Sequence, residues 1–168
     1  MKAARALVAV VVLLAIGYGV LQWKVGSVSD EALIVEAVDE AARASQEGRP
    51  GGVLEHLSKS LVFNNEAVGF NRKSIAVFVR EQKPKVTLGE RKVEIAPDGK
   101  TATMRTPVTL TVKILTFERP LTIDNVVIEF KKEDAMQYLV VPTRKWRIAK
   151  VTAPDFDPQS WASEAMGF

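Results

Sequence analysis

Few side chains in this chain could carry acid–base or nucleophilic chemistry. His56 is the sole histidine among 168 residues, and there is no cysteine. Imidazole titrates near neutral pH and is a natural general base. His56, however, stands three residues after Val53 on an expected helix, where bordering an apolar face is the plainer role. Without cysteine there is no thiol nucleophile, zinc–thiolate site or disulfide framework. One histidine and carboxylates scattered among lysines give metal binding no support. The two tyrosines are Tyr18, inside an apolar N-terminal run, and Tyr138. Neither Gly17–Gly19 nor Gly51-Gly52 has the lysine and strand-to-helix setting of a phosphate loop. The basic residues Lys83, Lys85, Arg91, Lys92, Arg144, Lys145 and Arg147 lack the exposed aromatics that nucleic acid binding uses, so they read as a solvated face. Close to a bilayer the same face could meet anionic headgroups. No cofactor is expected.

The elements that must position these residues fall into two groups. Lys85–Val151 reads as four strands in a row, with period-two alternation clearest in Thr101–Val112 and Val126–Phe130. Ala102 and Met104 share one face there, and Thr101, Thr103 and Arg105 the other. Pro97-Asp98-Gly99-Lys100 is a turn: proline pre-sets φ, aspartate caps the backbone, and glycine takes the left-handed corner. Gly89 marks a bulge or bend in Lys85–Ile95, and Pro107 suits an edge or bulge. Glu133–Thr143 reads either as a continued twisted hairpin or as a rim segment.

Upstream lie the helices that would cover such a sheet. Ser29 or Asp30 caps the first, in which Leu33, Ile34, Ala37, Val38, Ala41 and Ala42 follow helical spacing. Gly48-Arg49-Pro50-Gly51-Gly52 ends it. Val53–Ser60 is expected as a second helix, Leu61-Val62-Phe63 as a brief strand, and Arg72–Gln82 as a third helix stopped by Pro84. After Ala153 the tail carries Phe156, Trp161, Met166 and Phe168, which predicts that it docks on the domain or on another chain.

The N-terminus sets the address. Lys2 and Arg5 precede an uncharged run, Ala6–Leu21, that ends at Gln22-Trp23-Lys24, the pattern of an export signal. Ala6 to Trp23 is about 18 residues, or roughly 27 Å of helix, barely a membrane span. A retained single-pass anchor is expected, with Met1 cytoplasmic and the domain outside. Val25-Gly26-Ser27 keeps open the alternative of cleavage and secretion. The expected organisation is anchor and linker 1–28, domain 29–153 and tail 154–168. Composition agrees with one ordinary domain: 47% hydrophobic, 26% charged, and a net charge of +3 with both signs interspersed.

The order helix, glycine-rich break, "VLEHLSKSLVF", "GFNRKSIAVFVRE", then strands closing on "KWRIAKVTAP" resembles the nuclear transport factor two-like superfamily over about Ser29–Ala153. The resemblance implies an α+β cone: a curved, mostly antiparallel sheet of about four to five strands around a long N-terminal helix, with two shorter helices. One anchor ahead of such a domain is similar in layout to the inner-membrane scaffold subunit of type IV secretion systems.

The superfamily hosts isomerases and dehydratases as well as binding domains, so the resemblance implies a place for chemistry without assigning any. Its steroid-isomerase-like members carry a general-base aspartate where this chain has Asn64-Asn65-Glu66. Asparagine cannot abstract a proton, which leaves Glu66 and His56 as weak catalytic candidates. Candidates for lining a cone interior are Phe63, Asn65, Phe78, Met104, Tyr138 and Trp146. The expected function is therefore binding or assembly. The alternatives are a small-molecule isomerase or hydrolase and a carrier of a small apolar ligand. Expected partners are the membrane through residues 6–23, a second copy of the chain, a membrane protein or a small apolar ligand, and not nucleic acid.

Overall fold

The computed structural model describes residues 28–64, 72–114, 117–137, 141–154 and 156. The expected membrane segment, residues 6–23, lies outside them. Among the described residues no helix is long and apolar enough to cross a membrane. The chain divides into two compact units, Met1–Leu33 and Ile34–Phe168.

In the first unit Ser29 starts a helix. Its Oγ accepts the Ala32 N–H at 3.2 Å and its carbonyl accepts the Leu33 N–H at 3.1 Å, which satisfies donors that a helix start leaves orphaned. Helix α1 runs Asp30–Gln46, with Asp30 and Glu31 at the positive end of its dipole.

In the second unit the α1 stripe Ile34, Ala37, Val38, Ala44 and Ser45 is buried, as its spacing predicts. The helix ends in a Schellman motif. Gly48, at φ +69°, donates to the Ser45 carbonyl, and Arg49 donates to the Ala44 carbonyl at 2.8 Å. Helix α2, Pro50–Glu55, starts on proline. A Cβ on Gly52 would stand 2.7 Å from the Ala44 Cβ, so glycine lets the two helices approach. Helix α3, Arg72–Gln82, has the expected bounds and buries Val79. Pro84, itself buried, follows it and accepts a 3.0 Å hydrogen bond from Ser45 Oγ.

The sheet has six strands: β1 Leu57–Phe63, β2 Lys85–Leu88, β3 Lys92–Ile95, β4 Thr101–Ile114, β5 Phe117–Gln137 and β6 Val141–Thr152. Their order is β1-β6-β5-β4-β2, with β3 also on β4. All pairs are antiparallel except β1 with β6, which is parallel. The architecture is thus an α+β mixed sheet with, among the described residues, three helices.

Two features depart from the expected four to five strands, one in number and one in bounds. Lys85–Ile95 is two strands, because Gly89 turns the backbone out of the ladder. Its N–H reaches the Pro107 carbonyl at 2.9 Å, and a Cβ there would lie 2.6 Å from Pro107 Cγ. Opposite Pro107 the β4–β5 register slips between Thr106↔Val126 and Val108↔Ile123, and Asn125 adopts φ +59°. That is a bulge placed where proline lacks a ladder donor.

The second is β1, expected as the brief strand Leu61–Phe63 and found longer, Leu57–Phe63. The expected helix Val53–Ser60 stops at Glu55, and the His56 carbonyl already accepts the Ile148 N–H at 2.8 Å. Leu57 and Leu61 suit helical spacing, but a helix there would leave the β6 edge unpaired. The ladder prevails, since orphaned backbone groups are costly. Within Glu133–Thr143 the described residues continue the β5–β6 ladder as far as Gln137 opposite Val141, and residues 138–140 lie outside them.

Even-numbered residues of the central strands make the core: Ala102, Met104, Val112, Val126, Ile128, Phe130, Trp146 and Ile148 are buried, with Ile34 and Val79 from the helices. Phe130, Ile34 and Met104 are at most 1% exposed. Each such side chain contributes roughly 1.5–3 kcal/mol by leaving water.

Candidate functional site

His56 caps the C-terminus of α2 and is half-buried. Burial, the largest influence, holds its imidazole below the ordinary pKa, against the pull of the Glu55 carboxylate. Glu55 is itself held low, chiefly by its hydrogen bond from Lys145. Beside this pair Ser58 Oγ donates to Glu133 Oε1 at 2.6 Å, and Arg147 donates to Glu133 Oε2 at 3.2 Å. Burial thus disfavours the charged form of His56 beside these ion pairs. Glu66, Asn65 and Tyr138 lie outside the described residues.

The pocket candidates that are described do not converge. Met104 and Trp146, 0% and 3% exposed, are core, and Lys132 Nζ sits 5.2 Å from the Trp146 ring. Phe78 is 41% exposed on α3. Among the described residues no group of three His, Cys, Asp or Glu is placed to hold a metal ion.

Phe63 does line a groove. With Leu61, Val62, Ile75 and Val151 it encloses about 180 Å³, and every lining side chain is hydrocarbon and half-buried. The groove exists because β1 lies beside β6, Phe63 facing Val151 in register, while α3 carries Ile75.

The end of β1 fixes its rim. Asn64, at φ +46°, accepts the Ala153 N–H on Oδ1 at 2.7 Å. It donates through Nδ2 to the Ala153 carbonyl at 3.0 Å and to the Phe156 carbonyl at 3.4 Å. This clamp holds the chain leaving β6 so that the Phe156 ring meets Phe63 edge-on, with centroids 6.2 Å apart. Such pairs add about 0.5–1.5 kcal/mol beyond area burial. The clamp was not foreseen from sequence. Its one signal was asparagine, a residue that tolerates the left-handed region, directly after a strand.

A larger cleft of about 520 Å³ is lined by Gln46, Glu81, Gln82, Lys83, Lys85, Thr111, Lys113 and Glu118. Its mixed charges define no single ligand sign.

No protein-family model and no curated protein matches this sequence. Solved structures do match. An NTF2-like protein with a cystatin-like fold from Novosphingobium aromaticivorans is similar over 89% of this chain and 93% of its own, at TM-score 0.53 and 16% identity. An NTF2-like protein of unknown function in nutrient uptake from Rhodospirillum rubrum aligns over 74% and 96%, at TM-score 0.54 and 13% identity. An NTF2-like protein from Cytophaga hutchinsonii aligns over 74% and 97%, at TM-score 0.53 and 8% identity. The chain therefore has the nuclear transport factor two-like, cystatin-like fold. At these identities the likeness is one of fold and assigns no activity.

Proposed function

We propose that this chain is a binding or assembly domain that takes up an apolar group in the groove of Leu61, Val62, Phe63, Ile75 and Val151. Residues 6–23 would hold it on the outer side of a cell membrane. The observation that carries the reading is an apolar groove whose lining stays half-exposed, unlike the buried core residues Met104 and Trp146. Hydrocarbon walls without a convergent polar group favour an aliphatic or aromatic occupant. The membrane segment supports a partner met at the bilayer, and a homodimer is one form such assembly could take.

A second reading, a small-molecule isomerase or hydrolase using His56 and Glu66, draws on the burial that holds the His56 pKa below its ordinary value. The two readings place the site differently, so one titration separates them. The full chain in detergent is titrated with the amphiphilic fluorophore anilinonaphthalene sulfonate, whose aromatic rings would enter the groove, and compared with its Ile75→Glu and His56→Gln variants. The expected result is a saturable signal that Ile75→Glu removes and His56→Gln leaves. A signal untouched by Ile75→Glu refutes the groove.

A further inference from the structure

We propose that the groove is occupied in the resting chain by its own C-terminal segment, residues 157–168, with the Trp161 ring as the inserted group. This rests on the binding reading above and adds the resident occupant, which an outside ligand or partner segment must displace.

Three observations lead there. First, the chain leaving β6 is aimed at the groove: Asn64 grips Ala153 from both sides and reaches the Phe156 carbonyl. The Phe156 ring then packs on Phe63, a groove wall. Second, reach suffices. Trp161 is five residue steps beyond Phe156, and an extended chain of that length spans up to roughly 17 Å. That greatly exceeds the width of a groove of about 180 Å³. Third, size and chemistry match. An apolar space of about 150 Å³ already admits a benzene ring. In the twelve residues after Phe156 the sequence places Trp161, Met166 and Phe168 among mostly small or polar neighbours. Large apolar groups in so short a segment gain by leaving water, and the wall next to their tether is hydrocarbon.

Ligand access then depends on tail release. A groove covered nine-tenths of the time binds an outside ligand about tenfold more weakly than an open one.

The absence of cysteine makes the test clean. In the full chain Ile75→Cys and Trp161→Cys are introduced together and joined with a short bis-maleimide. The expected product is an intramolecular link at monomer mass, with none when Asp98→Cys, in the β3–β4 turn, replaces the Ile75 partner. A dimer-mass product would assign the groove to the tail of a second copy and overturn the proposal, as would no link. The second measurement uses full chains carrying Trp161→Ser, Met166→Ser and Phe168→Ser. Their anilinonaphthalene sulfonate signal at the groove, defined by its loss in Ile75→Glu, should tighten about tenfold. Equal affinity with and without the polar tail overturns tail occupancy and leaves the groove reading standing. No groove signal in either chain overturns the groove reading itself.

Discussion

Replacing Asn64 tests whether the clamp at the end of β1 is energetic or incidental. Asn64→Ala deletes three side-chain hydrogen bonds while leaving the backbone bond from its N–H to the Val151 carbonyl at 3.0 Å. The two shorter bonds contribute about 1 kcal/mol each, and the 3.4 Å contact less. Alanine must also hold φ +46°, where a Cβ costs about 1–2 kcal/mol. The expected loss is about 3 kcal/mol. Asn64→Gly deletes the same bonds and relieves the backbone, so its loss should be about 2 kcal/mol, though glycine also gains freedom in the unfolded chain. Urea unfolding of the full chain, followed by circular dichroism, measures both. The reasoning is refuted if the glycine variant is no less stable than wild type, because the bonds would then contribute nothing. An alanine variant equal to the glycine variant would refute the backbone part alone.

Other expectations follow from local geometry. Gly89→Ala should destabilise by about 1–3 kcal/mol, since its Cβ would meet Pro107 Cγ at 2.6 Å. Adding Pro107→Ala removes that atom, and a double-mutant cycle should show coupling of about 0.5–3 kcal/mol, whereas strict additivity would deny the contact. His56 offers a pH test. Burial lowers its folded pKa, so as pH falls through the ordinary imidazole range the unfolded chain takes the proton first. Stability present above that range is lost on acidification until the lowered folded value is passed. Wild type should therefore lose more stability than His56→Gln between about pH 7.5 and pH 5, and parallel curves would contradict it.

Much of the scaffold was legible because local chemistry and tertiary structure agree. Arg72–Gln82 has helical spacing and a proline stop, and both survive. The Pro97–Lys100 turn forms as its residues dictate: Asp98 Oδ1 accepts the Lys100 and Thr101 N–H groups, and Gly99 takes φ +62°. Gly89 and Pro107 each signalled a break, but sequence could not show that they meet. The Leu57–Ser60 misreading has a different cause. Its apolar spacing fits a helix, and only the unpaired edge of β6, far along the chain, makes it a strand. The site was less legible for the same reason. Phe63 was visible as an aromatic candidate, whereas Ile75 and Val151 become its neighbours only through the β1–β6 pairing and the position of α3. Asn64 was read for its inability to act as a base, which says nothing of its capacity to clamp a departing strand.

The parallel pairing of β1 with β6 also bears on the order of folding. β4, β5 and β6 pair antiparallel with their neighbours in sequence and can assemble locally. β1 must wait for a partner made almost at the end of the domain, and such distant closure is slow because chain entropy is lost before the contact forms. A chain emerging N-terminus first therefore carries α1, α2 and β1 as an unfinished front until β6 has left the ribosome or the translocation channel. If the N-terminal run is an export signal, that delay keeps the chain threadable while it crosses. The groove walls Leu61, Val62 and Phe63 then acquire their β6 neighbour Val151 in one of the last steps.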